Sequence, residues 1–171
     1  MERMPSIQLA LQNEKTEMEF YLNEAKRSNN PLAKGLFFQL AKEEEEHMQR
    51  IQGLYKKLIS DGSWPENMPL QVQSTNVKQT LRQLVNNAGS EKNHDDNDEK
   101  ALEKAIVFET KGSKFYSELA NLCENNTEKS FFLFLAEIER EHQLSLTDSL
   151  AYLKDPKTWM LQHERAGLDG A

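Results

Sequence analysis

Cysteine is almost missing from this chain: Cys123 stands alone among 171 residues. That excludes an internal disulfide, a CxxC redox motif and any thiolate-built metal site, and it suits a reducing cytoplasm. Cys123 itself reads as a small buried or half-buried side chain near a helix end. Basic charge is also short, with 21 Lys and Arg against 28 Asp and Glu, a net charge of −7 and a pI near 5.2. Nucleic acid and anionic membrane surfaces, which need a basic footprint, are poor partners for such a chain. No apolar run approaches the ~20 residues of a membrane span, and residues 1–6 lack the apolar stretch of a signal peptide. A soluble, cytoplasmic protein is expected.

Strand signals are missing too. No segment sustains two-residue alternation, whereas helical periodicity runs over roughly 6–27, 31–60, 98–122 and 126–154, with few prolines or glycines inside. Asn30-Pro31 reads as an N-cap followed by proline at the first helical position, and Asn125 takes the same place before the fourth segment. Asp155-Pro156 stops that helix and opens a turn carrying Trp159, which reads as an anchor for the tail. The fold class is all-α, in one domain: a first hairpin over about 5–60, a linker over 61–97, a second hairpin over 98–154 and a tail over 155–171. The linker is polar, with turn signals at Asp61-Gly62 and Trp64-Pro65. Within it Val77, Leu81, Leu84 and Val85 are spaced for a short amphipathic helix that caps the bundle or meets a second subunit.

What the chain has in abundance is itself. Residues 10–48 recur 95 positions later without a gap. Phe20, Tyr21, Ala25, Asn30, Phe37, Leu40 and Ala41 meet identical residues at Phe115, Tyr116, Ala120, Asn125, Phe132, Leu135 and Ala136. Two copies of a helical hairpin sharing one core fit this better than a solenoid, which needs three or more repeats. Paired about a pseudo-twofold, the hairpins require a long crossover, which the linker supplies.

The repeat also keeps Glu14, Glu44 and His47 as Glu109, Glu139 and His142. Glu14 and Glu44 each lie about fifteen residues from the turn between their helices, hence roughly 20 Å from it at ~1.5 Å per residue. All four carboxylates and both imidazoles therefore reach one level of the bundle. They face inward, because Leu36, Leu40, Glu44, His47, Ile51 and Leu54 advance by threes and fours along one stripe. Four unpartnered carboxylates in an apolar layer would each cost several kcal/mol or take up protons. Two divalent cations neutralise them. Core histidines hydrogen-bonded to glutamates are the bland alternative, and that arrangement would have to arise twice at identical spacing. Carboxylate and imidazole without thiolate suit iron, manganese or zinc. The neighbours Glu43, Glu45 and Glu46 read as a solvated acidic face. His94 and His163 lack partners at ligand spacing and read as solvent-facing, and Phe131, Phe132 and Phe134 as core with a subunit contact.

On Glu14 with Phe20-Tyr21, the stretch from Ala41 to His47, Glu109 to Gly112 with Phe115-Tyr116, and the stretch from Ala136 to His142, the chain resembles the rubrerythrin branch of the ferritin-like superfamily. The resemblance covers both hairpins and implies a ferritin-like four-helix bundle. It implies a di-iron centre bridged by Glu44 and Glu139 and completed by Glu14, His47, Glu109 and His142. Tyr21 and Tyr116 then hydrogen-bond the ligands while filling the core. Implied activity is reduction of hydrogen peroxide in oxidative defence, by a homodimer or small homo-oligomer. The alternatives are a ferroxidase that uses dioxygen to handle iron, and a bundle that holds manganese or zinc without turnover. Two features depart from the family. One cysteine cannot build the four-cysteine rubredoxin domain that relays electrons, so a separate donor protein is implied. Peroxidase-type members also carry an extra Glu where Gly112 stands here, whereas this chain has Glu17 at the matching place in the first copy. Glu17 is either a seventh ligand or, as preferred from sequence, an exposed glutamate.

Overall fold

A computed structural model describes the backbone of residues 3–63, 75–88 and 96–168, and the side chains of 6–63, 75–88 and 96–164. Six helices make up the described residues: α1 (Arg3–Arg27), α2 (Pro31–Asp61), α3 (Val77–Ala88), α4 (Asp96–Leu122), α5 (Asn126–Lys154) and α6 (Pro156–Leu168). The expected turn at Trp64-Pro65 and the expected exposure of His94 lie outside them. None of the described helices is long and apolar enough to cross a membrane.

The chain punctuates its own helices. The Asn30 side chain accepts the Ala33 N–H at 2.9 Å, and Pro31 follows where its missing N–H costs nothing. Asn125 repeats the device, taking the N–H groups of Thr127 and Glu128 at 2.8 and 3.0 Å. Helix α2 stops at Gly62, whose φ of 67° is left-handed and whose N–H returns to the Leu58 carbonyl. At the start of α4, Asp96, Asp98 and Glu99 face the positive end of the helix dipole.

Helix α1 pairs along α2, and α4 along α5, giving the two hairpins. Their joint interior holds two apolar clusters. One contains Tyr21, Leu36, Phe37, Leu40, Leu102 and Leu146, and the other Ile7, Ile51, Leu54, Tyr116, Phe132 and Leu135. Each long helix passes through both clusters and places its conserved-spacing Glu between them. On α1 the order is Ala10, Glu14, Tyr21, and on α5 it is Leu135, Glu139, Leu146. The polar layer is thus sealed by apolar side chains above and below.

The crossover helix does cap the bundle: α3 lies on α2 and α5, with Val77, Leu81 and Val85 buried. Gly35 permits this approach, since a Cβ there would stand 2.9 Å from Leu84 Cδ1. The tail differs from expectation. Where sequence suggested a turn after Pro156, a helix runs to Leu168, started by the Asp155 side chain accepting the Thr158 N–H at 3.1 Å. Trp159 anchors that helix, meeting Tyr152 edge-on and donating from Nε1 to Asp148 at 2.7 Å. His163 is exposed, yet stacks on Trp159 with ring centres 3.6 Å apart. Cys123 is half-buried just past the end of α4, donating to the Leu119 carbonyl. Phe131 and Phe132 are core, while Phe134 is only half-buried.

Candidate metal centre

Every one of the six residues singled out by the repeat is buried. Glu44, Glu109, Glu139 and His142 are wholly inaccessible, and Glu14 and His47 are 1% and 2% exposed. They fall into two overlapping groups, Glu14–Glu44–His47–Glu139 and Glu44–Glu109–Glu139–His142, each with its candidate donor atoms within 4.8 Å of one another. Glu44 and Glu139 belong to both. The imidazoles lie nearly parallel, 5.9 Å between centres.

Both histidines turn Nδ1 into the layer. From His47 Nδ1, Glu44 Oε2 is 2.9 Å away, Glu14 Oε2 3.2 Å and Glu139 Oε1 3.9 Å. From His142 Nδ1, Glu44 Oε1 is 3.2 Å and Glu109 Oε2 3.3 Å away. One nitrogen cannot serve several carboxylates with good geometry. Glu14 Oε2, Glu44 Oε1, Glu109 Oε2, both oxygens of Glu139 and His142 Nδ1 accordingly lack a hydrogen bond despite full burial. Buried polar atoms are normally satisfied. Here these six converge on one layer, and the donor set fits a pair of divalent cations.

Without a cation the layer can only share protons. Burial lifts the Glu14 carboxyl to about 7, against the pull of His47, and with the nearby carboxylates it raises Glu139 far above the usual range. Burial acts to lower His47, but Glu44 and Glu14 outweigh it and hold the imidazole near 10. His142 is raised in the same way, chiefly by Glu109. Glu44, although buried, is pushed down by its two histidines.

Tyr21 and Tyr116 are also core residues, at 0% and 1% exposure. Their hydroxyls reach across the bundle: Tyr21 donates to Glu109 Oε1, and Tyr116 to Glu14 Oε1. Sequence spacing placed each tyrosine on the same face as the Glu of its own helix. The bonds join opposite hairpins.

Two readings need correction. Glu43 is not solvated. At 9% exposure its Oε2 accepts from His142 Nε2 at 2.7 Å, and its Oε1 accepts from the Asn76 N–H at 2.9 Å and Gln39 Nε2 at 2.6 Å. Burial would raise Glu43, but His142, Thr75 and Gln39 hold it near 2. Nothing in the run of glutamates announces this, because the cover comes from the crossover at the start of α3. Glu17 is not exposed either, at 8%, and burial with the adjacent Glu109 lifts it well above the usual carboxyl range. A signal for Glu17 did exist: Ala10, Glu14, Glu17, Tyr21 and Ala25 form one unbroken stripe, and all five are buried. The other two members of the acidic run, Glu45 and Glu46, are exposed and half-buried.

Opposite Glu17 in the repeat, Gly112 leaves room for a ligand candidate. A Cβ there would stand 2.6 Å from Glu139 Oε2. The glycine is therefore part of how Glu139 reaches the layer.

A family model described as Rubrerythrin matches residues 6–95 and 100–166. No curated protein and no solved structure matches.

Proposed function

The chain belongs to the rubrerythrin family, and on that premise we propose that it is a non-haem di-iron oxidoreductase that reduces hydrogen peroxide to water in oxidative defence. The observation that carries this reading is the pair of overlapping ligand groups sharing Glu44 and Glu139. In it, Glu14 and His47 would hold one cation and Glu109 and His142 the other, with Glu44 and Glu139 available to both. An iron pair held there supplies two electrons, so that one peroxide and two protons become two waters.

The chain's own residues prepare that site. Tyr21 and Tyr116 fix one oxygen of Glu109 and one of Glu14, so the other oxygen of each would be left for a cation. Glu43 fixes the ring of His142 through Nε2, leaving Nδ1 to face the layer. The apolar clusters on both sides exclude bulk water, which strengthens every charge interaction within. The single cysteine provides no thiolate cluster, so electrons reach the site from a donor protein outside these 171 residues. A homodimer or small homo-oligomer in the cytoplasm is the form proposed.

Anaerobic loading with Fe(II), followed by oxidation with peroxide or with dioxygen, tests the reading. Oxidation by peroxide much faster than by dioxygen is expected. Faster oxidation by dioxygen, with turnover beyond two irons per chain, would overturn it in favour of an iron-handling ferroxidase. Purified protein carrying only manganese or zinc, and inert to both oxidants when given iron, would point to a metal-holding bundle instead.

A further inference from the structure

The two ligand groups are matched in their donors but not in what surrounds them. Two positions that reach the layer break the repeat. Glu17 corresponds to Gly112, and Glu43 corresponds to Ile138. Both acidic members lie in the first hairpin, yet both act on the same half of the site. Glu43 accepts from His142 Nε2 at 2.7 Å. Glu17 is buried on the α1 stripe one turn before Tyr21, whose hydroxyl reaches across to Glu109, so Glu17 faces the α4 side of the layer. His142 and Glu109 are the two residues that distinguish the second ligand group from the first. Among the described residues the first group receives no such support: Ile138 is apolar and cannot accept a hydrogen bond from His47, and Gly112 has no side chain.

The structure assigns unequal tasks to these halves: we propose that the Glu109–His142 half takes up a divalent cation first and holds it more tightly, with Glu17 as its additional ligand and Glu43 as the positioning residue of His142. This rests on the paired-metal reading above. Two effects favour it. A carboxylate on the far nitrogen of a ligating histidine fixes its tautomer, raises its basicity, and typically changes metal affinity 10–100-fold, so Glu43 strengthens His142 as a donor. Glu43 is itself held by the Asn76 N–H and by Gln39, and cannot easily turn away. Glu17 offers a further carboxyl oxygen inside the same low-dielectric layer, where attraction between a donor and a cation is least screened. Among the described residues no carboxylate meets the far nitrogen of His47 and no further carboxylate joins the Glu14–His47 half, which makes it the position that exchanges.

Crystals of metal-free protein given one Co(II) per chain test this directly through the anomalous peaks at the two positions. The expected result is a larger peak between Glu109 and His142. Equal peaks, or a larger one between Glu14 and His47, overturn the proposal. Glu43→Gln and Glu17→Gln should each draw the two peaks toward equality, and Glu43→Gln should weaken the first Co(II) step in calorimetry about 10–100-fold. Unchanged peak ratios in both variants would overturn the roles given to these residues. Should either variant fail to fold, the wild-type ratio still decides the order of uptake. Absence of any bound Co(II) at excess metal would instead defeat the paired-metal reading itself, an outcome distinct from two equal peaks.

Discussion

The α1–α2 hairpin and the α4–α5 hairpin solve the same packing problem with the same residues, but they differ where their inner faces meet. Each has an asparagine cap, a tyrosine stacked on a phenylalanine, and a Glu thirty residues before a Glu-x-x-His. The first hairpin adds Glu17 and Glu43, where the second has Gly112 and Ile138. What is duplicated therefore builds the scaffold and the basic ligand set. What has diverged alters the chemistry of one half of the layer and leaves the fold untouched.

The largest effect is expected from removing a residue the two halves share. Glu44→Ala and Glu139→Ala each delete a donor common to both groups, so both metals should be lost, as read by metal content per chain. Glu14→Ala or Glu109→Ala should cost mainly one. Retention of both metals in Glu44→Ala would break the idea that the halves are joined through it.

Next in size is the pH response of metal-free protein. Glu14 is raised from 4.5 to about 7 and His47 from 6.5 to about 10. Groups raised on folding stabilise below their unfolded values, and that stabilisation is lost as pH climbs through the folded ones. Glu43, lowered from 4.5 to about 2, loses its contribution as pH falls through that range. Metal-free protein should accordingly unfold at lower urea at pH 9 than at pH 6, while metal-loaded protein should not. A metal-free midpoint as high at pH 9 as at pH 6 would contradict the proton-sharing layer.

The scaffold comparison is sharpened by matched truncations. Phe37 stacks with Tyr21 at 6.1 Å and Phe132 with Tyr116 at 6.3 Å, both buried. Phe37→Ala and Phe132→Ala should each cost about 3–5 kcal/mol in chemical denaturation. A loss confined to one of them would show that the hairpins are not equal partners in the core. Smallest are the caps. Asn30→Ala and Asn125→Ala should each cost about 1 kcal/mol in chemical denaturation, since each side chain caps its helix. A loss at one of them alone would show that the repeated cap is not used alike in the two hairpins.

Much of this was legible before any coordinates. The caps at Asn30 and Asn125, the long helices and the inward face of Glu44 and His47 follow from local rules and from a 3.6-residue period that needs no knowledge of neighbours. Glu43 was misread because periodicity says which way a side chain points, not what another segment lays over it. Its partners, His142 and the Asn76 N–H, lie 99 and 33 residues away. That Tyr21 and Tyr116 bond the ligands is legible, but which ligand each one reaches is not, for the same reason. Residues on one helix share a face, but a long side chain at a bundle centre reaches the opposite helix more readily than its own backbone neighbour two turns back. Helix α6 was shortened to a turn because Asp155-Pro156 signals a stop and a start equally well.

The crossed tyrosines carry a lesson about assembly. Tyr21 completes Glu109, and Tyr116 completes Glu14, so neither hairpin contains the hydroxyl that its own glutamate requires. A hairpin folded by itself, or docked in the wrong register, leaves both carboxylates without their tyrosines. The pairing that satisfies one satisfies the other at the same moment, which makes correct docking of the two halves a single all-or-none event and gives the chain an internal check on its own assembly.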